Sequence, residues 1–301
     1  MSQILFDPDA LRSFATGMAL GSYAKAADRL GRSTSAVSAQ LKKLEMQAGT
    51  DLFRKAGRGL ALTEAGETLL AYAHRLLDLN EEAAAALRSA NLQGLVRLGL
   101  QEDFGEALLP AVLGRFARAH PKVRLEVCVA RSAELREKLA LRQIDLALVW
   151  EAGEQTPLPH GETLLSAPLQ WLAAADVEEM RPAWLESLHG GSAGALPLIL
   201  LDAPCPLREL AAGALASAGI PWHHAFTSAS LAALWAATSA GLGVAVRTPI
   251  GLPASVRPID AKAWGLPPLP KIGLALYHCA ETPEAPVAEL AALLKQAVAQ
   301  A

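Results

Sequence analysis

The stretch Ala24 to Glu45, AKAADRLGRSTSAVSAQLKKLE, leaves few choices for how its surroundings fold. Helical spacing runs up to Leu30, stops at Gly31, and resumes past Ser33 and Thr34. At about 3.6 residues per turn, Val37, Leu41, Leu44 and Ala48 share one stripe of the second helix. Ser35, Ser38, Ala39, Lys42 and Lys43 fall on the other side, which is short, hydrogen-bonding and basic. Ala26 and Ala27 let a second helix come close. Gly31 can take the left-handed conformation that ends a helix, and Ser33 or Thr34 can cap the next. Two helices joined by a short glycine turn form a helix-turn-helix, whose second helix enters the DNA major groove. From these residues alone, an ordinary helical hairpin with a solvated charged face reads equally well.

The flanks add a second feature. LFRKAGRGLALT reads as two extended runs around Ala56-Gly57-Arg58-Gly59, a hairpin with Arg54, Lys55 and Arg58 near its tip. A basic hairpin after a helix-turn-helix is a wing, placed to touch phosphates. Residues 1–60 hold nine Lys and Arg against five Asp and Glu, a net +4. Residues 61–301 hold eighteen against twenty-five, a net −7, so the overall −3 hides a basic head on an acidic body. Such an asymmetry is the electrostatic footprint of nucleic-acid binding.

From Ser22 to Gly66 the chain resembles the winged helix-turn-helix of LysR-type transcriptional regulators. The residues that carry the likeness are Ala26-Ala27, Leu30, Ser33-Thr34, Ala36, Val37-Ser38, Gln40, Leu44-Glu45, Gly49, Leu52-Phe53, Arg58, Leu62-Thr63 and Ala65-Gly66. Ala24 stands where the family usually has a threonine, Thr34-Ser35 replaces a commoner Gln-Pro or Gln-Ser, and Lys55 replaces an arginine. The resemblance is dense over residues 9–90 and continues by length and layout. The runs EDFGEALLPAVLGRFARAHPKVRLEV and CPLRELA resemble the LrhA-like branch in particular. The family implies contact with double-stranded promoter DNA through Arg32, Ser33, Thr34, Ser35, Ser38, Lys42, Arg54, Lys55 and Arg58.

Residues 63–90 form the next block. Thr63 can cap a helix whose first turns hold Glu64 and Glu67, where negative charge suits the helix dipole. Leu69, Leu76, Ala83 and Ala90 recur at sevens, as do Tyr72, Leu79 and Ala86 three positions later, an a/d seam. A helix packed only on its own domain is the simpler alternative. The family implies that this linker dimerises, and that the effector domains build a tetramer.

Beyond residue 92, strands and helices alternate at the spacing of βαβ units: GLVRLGL, a helix over DFGEALLPAVLGRFARAH, VRLEVCVA, SAELREKLALRQ and DLALVW. The order returns with LPLILL, PLRELAAGALASAG, HAFTS, SLAALWAATSAG, GVAVR, KIGLALYH and a last helix from Pro286 to Ala299. A mostly parallel sheet is therefore expected. The family implies an α/β effector domain built like a periplasmic solute-binding protein. The expected division is 1–62 for the DNA-binding head, 63–91 for the linker and 92–301 for the effector domain. Within the last, residues 92–163 with 269–301 make one subdomain and 164–268 the other.

Ligands of open α/β sheets bind at the carboxyl ends of strands. Those ends are Gln101, Glu102 and Asp103; Arg131 and Ser132; Asp202 and Cys205; Thr227 and Ser228; and Arg247. The resemblance implies that these positions line the cleft for a small-molecule effector. Asp103, Ser132 and Ser230 also read as helix caps, and Arg247 as a surface charge.

Composition narrows the class. With 52% apolar and 19% charged residues, 301 residues fit about two globular domains. Cys128, Cys205 and Cys279 are too few and too far apart for a zinc ribbon or disulfide framework, which suits a reducing cytoplasm. The first residues have Asp7 and Asp9 and no basic start, unlike a signal peptide. Leu210 to Val246 lacks Asp, Glu, Lys and Arg, but Pro221 and several glycines divide it, so helix, strand, helix and strand are expected rather than a membrane span. No nucleophile elbow between strand and helix, Walker loop or metal-spaced His/Cys group appears, so no cofactor, no metal and no enzyme activity are expected. Adjacent His223 and His224 should face opposite sides of a strand, one in the core. The rival reading is a soluble solute-binding or catalytic α/β protein with a helical interaction module. A redox-sensing variant of the regulator rests on Cys205 ahead of a helix N-terminus. A regulator would also meet RNA polymerase at its promoter.

Overall fold

The computed structural model describes residues 5–56, 59–88, 92–152, 158–180, 183–184 and 194–300. Two compact units emerge, residues 1–90 and 91–301.

In the first unit, α1 (Pro8–Ala19) was not foreseen; Asp7 caps it, accepting from the Asp9 amide. Next come α2 (Tyr23–Arg29) and α3 (Thr34–Ala48), capped by Ser22 and Ser33. Gly31 has φ +62, and the amides of Arg32 and Gly31 return to the carbonyls of Ala27 and Asp28 at 2.9 and 3.2 Å. These paired bonds close the end of α2 with a left-handed glycine. Phe14, Val37, Leu41, Leu44 and Leu52 form the core of the head.

The wing is β1 (Phe53–Ala56) paired antiparallel with β2 (Gly59–Leu62). It is fixed to both flanking helices. The Glu45 carboxylate accepts from the Leu52 amide at 3.0 Å. The Thr63 hydroxyl donates to the Asp51 carbonyl at 2.8 Å and accepts from the Gly66 amide at 3.1 Å. A Cβ on Gly66 would lie 2.2 Å from the Leu52 carbonyl oxygen, so no larger residue lets these backbones approach. The helix that follows, α4 (Glu64–Arg88), shows two faces. Leu69 and Ala73 are buried in the core of the head, so Leu69 is removed from the expected seam. Tyr72, Leu76, Leu79 and Ala83 are exposed, with Leu87 84% exposed; the side chains of Ala86 and Ala90 lie outside the described set.

The second unit holds two sheets. The first has the order β4-β3-β5-β12-β6, with β3 (Gly94–Leu100), β4 (Val123–Val129), β5 (Leu146–Glu151), β6 (Gly161–Pro168) and β12 (Lys271–His278). Strands β3, β4, β5 and β6 run the same way, as the expected mostly parallel sheet requires, and β12 alone runs against them, antiparallel to both β5 and β6. The reason is topological. Gly273 opposes Glu151 at the carboxyl end of β5, so β12 enters from the second subdomain at that end and can only run back. Strand β6 leaves in the opposite sense and stays paired to β12 through Pro168, beyond the boundary expected at 163/164.

Packed on this sheet are α5 (Asp103–Ala107), α6 (Leu109–Ala119) and α7 (Ser132–Ala140), with α11 (Ala285–Gln300) closing the chain. The single helix expected over 103–120 is two. Pro110 supplies no amide to bond Glu106, and the chain breaks at Leu108. Strand β5 is buried on both faces, which is why it reads as an unbroken apolar run.

The second sheet contains β7 (Gln170–Ala174), β10 (Ala245–Arg247) and β11 (Val256–Pro258), joined antiparallel. The parallel pair β8 (Leu196–Leu201) and β9 (Trp222–Ser228) extends it through a bridge from Leu198 to Val244. Its helices are α8 (Val177–Met180), α9 (Pro206–Ser217) and α10 (Leu231–Ser239). The uncharged stretch 210–246 is thus helix, strand, helix and strand; no helix among the described residues is long and apolar enough to cross a membrane. Both His223 and His224 are exposed, correcting the expected core histidine, because β9 is an edge strand.

Gly31 tests the turn. A Cβ there meets nothing within 4 Å, so only the backbone conformation resists it. Gly31→Ala should destabilise the head by about 1–2 kcal/mol, the cost of a left-handed alanine, read by urea unfolding of the full chain.

Candidate DNA-reading surface and effector cleft

The reading surface is built by opposition across α3. Val37 and Leu44 have no exposed surface, whereas Thr34, Ser35, Ser38, Ala39, Lys42 and Lys43 are exposed. The expected residues differ in how free they are. The Ser33 hydroxyl is the helix cap, accepting from the Ala36 amide at 3.2 Å, and lies 2.9 Å from the Ser35 hydroxyl. Arg32 pairs with Asp9 at 2.7 Å, and Lys43 pairs with Asp7. Both pairs are exposed and hold the side chains weakly. On the wing, Arg54 donates from Nε to the Leu62 carbonyl at 3.0 Å, crossing the hairpin. Lys55 sits on β1 with its side chain outside the described set, and Arg58 lies outside the described residues.

In the second unit a cavity of about 590 Å³ opens where the strand ends of the two sheets meet. Gln101, Glu102, Asp103, Arg131, Ser132, Asp202, Cys205 and Arg247 line it together, although they come from four separate strand ends. Thr227 and Ser228 are not in its wall; the neighbouring Ala229 is. The Ser228 hydroxyl instead accepts from the Ser230 amide at 3.1 Å, and exposed Thr227 lies 3.4 Å from His224. Glu134, Arg136 and Glu209 also line the cavity and were not foreseen. They lie within two turns of the starts of α7 and α9, so a search confined to strand ends passes them by.

Buried charge dominates the wall. Asp103 and Arg247 are 4% and 5% exposed and form an ion pair. The other Asp103 oxygen accepts from the Trp150 indole at 3.0 Å. Burial opposes the charge on Arg247, but the Asp103 carboxylate outweighs it and holds the guanidinium above its ordinary pKa. Asp103 is therefore a strut rather than a helix cap, and Arg247 is no surface charge. Ser132 likewise caps nothing; it donates to the Trp150 carbonyl at 3.0 Å. Arg131 reaches across to the Asp202 carboxylate, to the Asp202 carbonyl at 2.7 Å and to the carbonyls of Pro204 and Ala229 at 3.4 Å. Glu102 accepts from the Leu231 amide at the start of α10, 2.8 Å away. The contacts of Asp103 with Arg247, of Arg131 with the 202–229 groups and of Glu102 with Leu231 join one subdomain to the other. Cys205 is a buried free thiol in the wall, and Cys128 and Cys279 pack elsewhere, against the Leu135 cluster.

A helix-turn-helix head with a wing, followed by a two-subdomain α/β domain with a cleft, defines a ligand-responsive DNA-binding regulator. Residues 8–67 match the model for the bacterial regulatory helix-turn-helix protein of the lysR family, and residues 89–299 match the LysR substrate binding domain. The chain belongs to the LysR family of transcriptional regulators. It is 36% identical over 264 residues to the HTH-type transcriptional regulator PecT of Dickeya dadantii, covering 88% of this chain and 79% of that protein. With DgdR of Burkholderia cepacia it shares 35% over 269 residues, covering 89% and 86%. The fold matches a LysR family regulator from Pseudomonas aeruginosa with a TM-score of 0.52 at 21% identity, covering 97% of this chain and 99% of that one. It also matches Vibrio fischeri DarR, solved in complex with DNA, with a TM-score of 0.53 at 16% identity, covering 96% and 98%. The family decides between the two readings of the sequence in favour of a DNA-binding regulator with a C-terminal effector-binding domain.

The buried pair makes a sharp stability prediction. Arg247→Ala leaves Asp103 charged and buried, and should cost about 3–5 kcal/mol. Pairing Arg247→Met with Asp103→Leu should recover most of that loss in chemical denaturation.

Proposed function

We propose that α3 lies in the major groove with Ser35 and Ser38 toward base edges, and that the cleft binds a small molecule whose presence changes operator binding. The observation that carries the first half is the exposed stripe of Ser35, Ser38 and Lys42 on a helix whose opposite side is buried. Thr34 and Arg32 flank the entry turn, and Lys42, Arg54, Lys55 and Arg58 hold phosphates. Phosphate contacts fix position and carry the salt dependence, whereas base-edge contacts carry sequence. Lys42→Ala should therefore weaken binding to operator and unrelated DNA alike and reduce the salt slope of log K by about one unit. Titrations of the chain's own upstream promoter region at several salt concentrations measure it; an unchanged slope removes Lys42 from the interface.

The chain acts as a homodimer through α4, assembled further through its effector domains. Supporting this, Tyr72, Leu76, Leu79 and Leu87 are all exposed on one helix, more apolar surface than a solvated helix carries without a partner. Leu76→Asp should give a folded chain of lower mass by light scattering, with little operator affinity. Binding in the cleft acts by differential affinity for two arrangements of the subdomains, the only way a ligand shifts an equilibrium. The regulator works in the cytoplasm beside RNA polymerase at its promoter, with no catalytic step and no cofactor.

A further inference from the structure

The cleft is built where anions are usually welcome. The N-termini of α7, α9 and α10 all reach it, and free amides at a helix start attract negative charge. In this chain a carboxylate stands near each, bonded to an amide at α10 and without a capping bond at α7 and α9. Glu102 accepts from Leu231 at the start of α10, Glu134 stands in the first turn of α7, and Glu209 in the first turn of α9. The guanidiniums of the wall are committed as well: Arg247 to Asp103, Arg131 to Asp202 and Arg136 to Glu151 at 3.1 Å. The wall holds five carboxylates and three guanidiniums. After pairing, what faces the cavity is the charge of Glu102, Glu134 and Glu209. Glu134 also meets Lys138 at 3.4 Å, an exposed pair that binds it weakly.

We infer that the effector is an organic cation, a small molecule whose ammonium group is taken up between Glu102 and Glu209 in the cleft. The inference rests on the cleft being the effector site. An anionic effector would find the Leu231 amide and the wall's three guanidiniums already paired, and would meet uncompensated carboxylates beside the starts of α7 and α9. A cation keeps every pair and neutralises the excess.

Matched probes on the full-length chain at fixed ionic strength test it: pentylamine and 1,5-diaminopentane against pentanoate and pentanedioate, read by thermal unfolding and tryptophan fluorescence. The amines should raise the melting temperature and the carboxylates should not. Glu102→Gln should weaken the amine response about tenfold or more. Glu209→Gln, at an exposed position, should do the same where the first variant lowers stability. Tighter binding of the carboxylates, no response to any probe, or an amine response indifferent to both substitutions overturns the inference. Ala133→Trp, which fills the cavity from an exposed position in its wall, separates the two levels of the argument. A carboxylate response abolished by Ala133→Trp keeps the cleft and rejects the cation; a response to any probe that survives it places the binding elsewhere and rejects the cleft itself.

Discussion

The ion pair of Asp103 with Arg247 ties the carboxyl end of β3 to the carboxyl end of β10, and so one sheet to the other. Such a pair is a poor source of net stability, because removing two charges from water costs about as much as their attraction returns. What it supplies is position. The two groups can satisfy each other in one arrangement only, and Trp150 holds the remaining Asp103 oxygen in place. With that contact set, Arg131 finds Asp202, and Glu102 finds the first amide of α10. The cleft takes its shape from this order of dependence.

Much of this was legible in the sequence. Gly31, Ser33 and the Val37-Leu41-Leu44 stripe mark two helices and the turn between them, because a left-handed turn, a cap and a buried face each require particular residue types; the basic wing and the family pattern then separate a helix-turn-helix from an ordinary hairpin. Most of the cleft wall was legible too, since strand ends are readable from apolar runs. What was hidden depends on partners far along the chain. Nothing local to Asp103 says that a residue 144 positions away will neutralise it. Leu69 fits a heptad as well as Leu76 does, and only the packing of α1 against α4 separates them. Strand β6 carries a mixed pattern, GETLLSAP, that no alternation marks as a strand, and its role as a connection is visible only once β12 is placed.

That connection governs how the effector domain can move. The chain leaves the first sheet along β6 and re-enters along β12, and the two run antiparallel side by side. At the crossing the Leu169 amide donates to the Pro270 carbonyl at 3.3 Å. A two-stranded ribbon bends and twists more readily than it slides, so residues 168–171 and 269–271 are where this link is most easily bent.

The contacts of Thr63 and Gly66 with the 51–52 backbone make a different kind of joint. With Glu45 holding Leu52 from the other side, the segment between α3 and α4 has no slack left in it. The 25 residues of α4 span about 37 Å. Swinging that helix by about 5° moves its far end by roughly 3 Å, and the weld at its near end passes the same rotation to α3. The long helix is thus a crowbar set rigidly into the reading head. Whatever grips its free end sets the angle at which the exposed face of α3 is presented.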